Sequence, residues 1–221
     1  MHSDQTTVPN DLSEVDGLLF ACVLDGAGGA RVTDWAGVEA WKQDDGPLWL
    51  HFEQSHPRVQ DWLRHRSGLT SVTAEALLAT ETRPRVFRGK RGVAAILRGV
   101  NTNPGAEPDD LVAIRMWSEG VRVITIRHHR LMTPRDVLSQ LVEHHSGPIT
   151  AGQLYERLIG RLISRMAGTV GAYDDSLDLI EAGLETENAT DLRRRVSELR
   201  HSLVLLRRYL SPQREALGSL L

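Results

Sequence analysis

The sequence predicts a mixed α/β (α+β) domain followed by a long antiparallel helical hairpin. Two observations predict it. From Gly17 to Pro148, short apolar runs alternate with Gly, Pro and Asp clusters, the punctuation of strands and short helices. From Leu154 to Leu184, and again from Leu192 to Leu217, apolar residues recur at threes and fours over long windows. The break between these runs, Glu185 to Asp191, is short and polar, so the two helices are expected to fold back on each other. The expected division is a flexible tail over 1–16, a layered domain over 17–149 and the hairpin over 150–221.

In order along the chain, Gly17–Leu24 reads as a strand, Asp25–Gly29 as a turn, and Ala30–Thr33 as its antiparallel return. Asp34 caps a helix over Trp35, Val38 and Trp41, which Asp44-Asp45-Gly46-Pro47 ends. Leu48–Phe52 is the next strand. Pro57 opens a helix carrying Val59, Trp62 and Leu63, and Thr70 or Ser71 caps another through Leu78. Arg83–Phe87 is extended, because Pro84 disfavours helix before it. Gly92–Val100 is a strand, Asn101–Asp110 a loop, and Leu111–Trp117 with Val121–Ile126 a hairpin. Pro134–His144 is a helix with Val137, Leu138 and Leu141 inward, ended by Ser146-Gly147-Pro148. Hairpin connections outnumber βαβ units, which implies a mixed sheet.

The chain has 221 residues, 41% of them hydrophobic, and a net charge of −3, so it is an ordinary globular polypeptide with no bias toward nucleic acid. Cys22 is the sole cysteine, which excludes an intrachain disulfide and a Cys-x-x-Cys zinc site and fits a reducing compartment. No apolar run reaches membrane-spanning length, and Met1–Leu12 lacks a signal-peptide core. The chain therefore reads as soluble. It stops on Ala216–Leu221, an apolar end that suggests a piece of something longer.

Charge is segregated along the hairpin. Asp174 to Asp191 holds seven acids and no Lys or Arg; Leu192 to Leu217 holds seven arginines against Glu198 and Glu215. Such faces pair across helices as salt bridges, here to Arg194, Arg195 and Arg200, or they concentrate cations. Asp174 and Asp178 stand one turn apart on one face, Glu181 follows three residues on, and Asp175 lies at the edge. His201 falls opposite Gly171 to Asp175. Carboxylates plus one imidazole form an incomplete zinc site, open to completion by another subunit. A second candidate is His51-x-Glu53, on one strand face, with His56 nearby; the alternative is a sheet histidine hydrogen-bonded to a neighbour. His128 and His129 follow a strand and are expected to face opposite sides. Glu143-His144-His145 would place adjacent histidines apart on a helix. Gly160, Gly168 and Gly171 within the first long helix mark close helix approach, weak points or bends. No Walker, Gly-x-Gly-x-x-Gly, Gly-x-Ser-x-Gly or His-Glu-x-x-His pattern occurs, so no enzyme is predicted.

Leu48-Trp49-Leu50-His51-Phe52-Glu53, His56-Pro57 and Trp62-Leu63 resemble the cytosolic domain of ZntB-type zinc transporters of the CorA superfamily. So do Thr82-Arg83-Pro84-Arg85, Leu97-Arg98-Gly99-Val100-Asn101-x-Asn103-Pro104-Gly105-Ala106, Asp110-Leu111-Val112, Ile124-Thr125-x-Arg127 and Leu206-Arg207-Arg208-Tyr209-Leu210-x-Pro212-Gln213-Arg214-Glu215. These matches run in order over nearly all of 17–221. The resemblance implies an α/β/α layered domain, then a helical hairpin. In the family a stalk, two membrane helices and a Gly-Met-Asn pore motif follow, and that motif does not occur here. It implies a homopentamer on the cytoplasmic side of a bacterial inner membrane, joined to the membrane through the missing C-terminal part. The cytosolic domains would form a funnel holding divalent cations such as Zn2+, or chloride or sulfate on its arginine-lined surfaces, with no required cofactor. Without the stalk, the chain alone is expected to be a monomer or weak dimer. Two other readings fit the residues: the same domain in a CorA-like magnesium or cobalt channel, and a stand-alone soluble metal-responsive interaction protein.

Overall fold

The computed structural model describes residues 15–80, 82–106, 110–185 and 188–220. The expected tail, 1–16, lies outside these for all but its last two residues. Seven strands, β1 Leu18–Leu24, β2 Ala30–Thr33, β3 Leu48–Glu53, β4 Arg85–Arg88, β5 Val93–Val100, β6 Leu111–Ser118 and β7 Arg122–Arg127, form one sheet in the order β2-β1-β3-β7-β6-β5-β4. Every pairing is antiparallel except β3 with β7, which is parallel, with His51 opposite Thr125. The sheet is thus two antiparallel halves joined along one parallel seam.

Helices cover both faces, as the layered fold requires. α1 Trp35–Ala40, α2 Pro57–His65 and α3 Ser71–Leu78 pack Trp35, Val38, Val59, Trp62, Leu63 and Leu77 against Ala21, Leu48, Leu50, Phe52, Ile124 and Ile126. α4 Met132–Val142 and the first half of α5 Ala151–Ala182 cover the other face. There Leu138, Leu141, Leu154, Leu158 and Leu162 meet Cys22, Trp49, Leu97, Ile114 and Val123. Gly99 permits the approach of α5: a Cβ there would stand 2.5 Å from Leu162 Cδ1 and 2.9 Å from Leu131 Cδ1.

Local chemistry accounts for the helix starts. Asp34 accepts from the Gly37 N–H, Thr70 from Thr73, and Thr150 from Gln153, each satisfying a free donor of the first turn. α4 begins two residues before Pro134, because a proline in the first turn forfeits no intrahelical bond. It also ends at Val142, with His145 left-handed at φ 46°, so His144 and His145 lie beyond the helix rather than on it.

α5 and α6 Ala189–Gly218 are 32 and 30 residues long, about 45–48 Å each at 1.5 Å per residue. α6 runs antiparallel to α5, and Met166, Tyr173, Leu206, Tyr209 and Leu210 pack where the pair meets the end of the sheet. Among the described residues outside the local helix backbone, nothing comes within 4 Å of a Cβ built on Gly160, Gly168 or Gly171, so these glycines do not serve close helix approach here.

Candidate functional site

The hairpin packs on the sheet along the first half of α5 and the last turns of α6, and its acidic residues lie on the second half of α5. Asp174, Asp175, Asp178 and Glu181 are all solvent-exposed, as is His201. Among the described residues none of the four acids forms a salt bridge, so their expected pairing with Arg194, Arg195 and Arg200 is not found there; Arg194 instead bonds Glu198 one turn along its own helix, at 2.9 Å. Among the described residues no three or more His, Cys, Asp or Glu side chains are grouped closely enough to hold a metal ion. The acids form an open surface, not a preformed cage, and His201 is not gathered with them.

The second candidate set is engaged structurally. His51 is 3% exposed, with its Nδ1 2.9 Å from Thr125 Oγ1. That hydroxyl donates to the Leu50 carbonyl and accepts from Trp49 Nε1, both at 3.0 Å. Its single proton is thereby used, which assigns the His51 proton to Nδ1. Burial, reinforced by the nearby Arg127 charge, pushes the imidazole down to about 3, so it is neutral at physiological pH. Glu53, at the end of the parallel seam, lies 3.6 Å from Arg127 Nε and 3.9 Å from His128 Nδ1. His56 is the N-cap of α2, where Nδ1 accepts from the Arg58 N–H. His128 and His129 do not face opposite sides; their rings meet edge-on at 4.6 Å, because β7 ends at Arg127 and strand alternation no longer applies.

The structure adds a joint between hairpin and sheet. Beyond the end of its pairing with β4, β5 leaves the Arg98 N–H and C=O without a strand partner on that side. The Gln213 side-chain amide takes both, accepting from Arg98 N at 2.6 Å and donating to Arg98 O at 3.1 Å. Gln213 is 3% exposed and acts as a one-residue surrogate strand. The Arg98 guanidinium lies 4.6 Å from the centre of the Tyr209 ring and donates to the Thr82 and Leu111 carbonyls. Arg115, diagonally beside it on the sheet, donates to the carbonyls of Ala79 and Thr80. Burial and the neighbouring Arg98 charge push Arg115 down to about 10. Both arginines pin the segment between α3 and β4. Gln213, Arg98, Tyr209, Thr82 and Leu111 stand in the motifs quoted above, but nothing in the sequence joined them, and Arg115 had no signal there.

A family model described as the CorA-like Mg2+ transporter protein matches residues 44–221, four-fifths of the chain and both of its parts. The chain belongs to the CorA-like family. Among CorA-like relatives, the divalent cation transporter CmaX of Pseudomonas aeruginosa is 36% identical over 207 residues, covering 92% of this chain and 62% of that protein. The zinc transport protein ZntB of Yersinia enterocolitica is 30% identical over 207 residues, covering 94% and 62%. The structure of full-length CmaX superposes with a TM-score of 0.83 at 34% identity, over 93% of this chain and 63% of that one. The ZntB cytoplasmic domain from Vibrio parahaemolyticus shares the fold, with a TM-score of 0.77 at 20% identity, over 93% and 80%. This CorA-like chain therefore spans less than two thirds of the curated relatives it matches. Among its described residues no helix is long and apolar enough to cross a membrane.

Proposed function

We propose that this chain is the cytoplasmic domain of a divalent-cation transporter, with zinc as the ion, working as a homopentamer whose hairpins line a cation-attracting funnel. The observation that carries the reading is the 36% identity with a divalent cation transporter, sustained through both the sheet and the hairpin. Zinc is favoured by the ZntB relatives. No catalytic role is assigned.

In this reading Asp174, Asp175, Asp178 and Glu181 supply negative potential toward the far end of the hairpin. Unpaired exposed carboxylates raise the local cation concentration over about one Debye length, about 8 Å at physiological ionic strength. Held by flexible side chains in water, they attract ions without trapping them, as a path to a pore requires. His201 adds an imidazole when a neighbouring subunit brings it near an acidic face.

Two measurements test this. Proteoliposomes carrying the complete gene product are expected to take up zinc in preference to magnesium and cobalt; no uptake of any of the three would remove the transporter reading. Isothermal titration of zinc is expected to give less heat with Asp174→Ala/Asp178→Ala and with His201→Ala than with the unaltered chain. Equal heat in all three would remove the hairpin as a cation surface.

A further inference from the structure

Three helix-weakening residues of the hairpin have no packing role. Gly168 and Gly171 lie inside α5 with open space where a side chain would stand, and Pro212 lies inside α6. Glycine loosens a helix through its backbone freedom. Proline removes an intrahelical hydrogen bond, here the one that the Arg208 carbonyl would accept.

The fold sets these three at one level. Gln213 Nε2 lies 3.0 Å from Met166 Sδ, which fixes those two residues opposite each other. Toward the tip of the hairpin, Pro212 is the next residue on α6, Gly168 stands two residues on along α5, and Gly171 follows within a turn. On the sheet side of this level both helices are anchored. Leu158 and Leu162 are in the core, Leu217 packs against it, and buried Gln213 bonds Arg98. Gly160 also has open space around it, but it stands between those two leucines and is held by them. On the tip side the support thins. A small cluster, in which Tyr173, Leu206 and Tyr209 meet Leu111 and Val100, bridges the level. From Tyr173 round the tip to Leu206, Ile180 and Leu192 are the only buried apolar side chains among the described residues.

There is also room to move. A hollow of about 450 Å3 separates α5, along Gly168, Thr169, Ala172 and Ser176, from Val100 and Thr102 at and just beyond the end of β5. We propose that Gly168, Gly171 and Pro212 form a paired hinge, about which the outer hairpin swings as one body over this hollow while the sheet-bound half stays fixed. Sharp helix bends gather at proline and at glycine or serine positions. From Gly168 to Ala182 is about 21 Å, so a swing of about 20° carries the tip by about 7 Å. Asp174, Asp178 and Glu181 ride on the moving part, so their distance from the sheet changes with it. The hinge is independent of which ion, if any, the protein handles.

The test is the distance distribution between nitroxide labels on Arg130→Cys, exposed beyond the end of β7, and Glu181→Cys, exposed on the outer half of α5, read by double electron-electron resonance. Unlabelled protein in excess removes distances between chains, fully buried Cys22 takes no label, and circular dichroism confirms folding. The doubly labelled chain is expected to give a distribution broadened by the swing. Adding Gly168→Ala/Gly171→Ala/Pro212→Ala, all changes that favour a helix, is expected to cut the width at least twofold, while Gly160→Ala leaves it unchanged. A distribution already as narrow without the triple change would overturn the proposal, as would a width that the triple variant keeps or that Gly160→Ala narrows equally.

Discussion

Leu158 and Leu177 lie on one helix and belong to different physical regimes. Leu158, near the start of α5, is 1% exposed in the core between α5 and the sheet. Leu177, five turns on, is nearly half exposed. The first half of α5 is held by a layer of apolar neighbours, the second mainly by its pairing with α6, with Tyr173 the contact nearest the sheet. Helical periodicity is the same in both halves. What differs is whether the fold supplies a surface to cover it, so the hairpin carries apolar area that this chain by itself leaves in water.

That contrast is sharpest in paired truncations. Leu158→Ala removes a fully packed side chain and is expected to lower unfolding free energy by about 2–5 kcal/mol in urea denaturation. Leu177→Ala, in a protein diluted until monomeric, is expected to cost under about 1 kcal/mol. Equal losses would show that the two halves of α5 do not differ as described.

Next in size is the joint. Gln213→Ala leaves the Arg98 N–H and C=O unpaired at the sheet edge, and is expected to cost about 2–3 kcal/mol. Hydrogen exchange should locate the loss in the last three turns of α6 and in β5. Loss spread evenly over the sheet would contradict the surrogate-strand role.

The pH response comes third, with its sign fixed by burial. Folded His51 is neutral down to about 3, whereas the unfolded side chain protonates near 6.5. The unfolded state therefore binds the extra proton first. Stability is fully present above about pH 6.5 and is lost as pH falls toward 3. Between pH 6.5 and 5 the loss is about 2 kcal/mol. The difference between His51→Asn and the unaltered chain, followed by denaturant melts at those two pH values, should show it. A flat difference would mean that His51 is charged or exposed in the folded protein. The smallest effect belongs to Asp178→Ala, which has no partner to lose among the described residues and should leave the unfolding midpoint of the monomer unchanged.

Much of the fold was legible because its signals are local. The strand runs, the Asp34 and Thr70 caps and the two long helices each declare themselves within a few residues. The α/β/α layering came through the resemblance and is what the structure shows. The Gln213–Arg98 joint was not legible as such, since its partners are 115 residues apart and neither residue type announces the other. The salt bridges expected across the hairpin failed for a related reason. Sequence spacing places charges on a helix but does not fix how two helices are rotated against each other, and here the acids face outward. Four-residue periodicity also fails to separate Tyr173, packed under α6, from Leu177, one turn later and bare. His51 was read both as a ligand and as a hydrogen-bonded sheet residue. The deciding fact, its register opposite Thr125, lies 74 residues away.

The parallel seam between β3 and β7 has a consequence for synthesis. The strands β1, β2 and β3 can zip together as soon as they leave the ribosome, but the free edge of β3 waits for β7, whose residues follow about seventy positions later. At typical elongation rates that interval lasts several seconds. For that time a nascent chain presents Leu48-Trp49-Leu50-His51-Phe52 as an unpaired, strongly apolar ribbon, open to any other extended segment. Chaperone protection during translation should therefore matter most while residues 54–121 are being made, and slowing synthesis across that window should lower soluble yield.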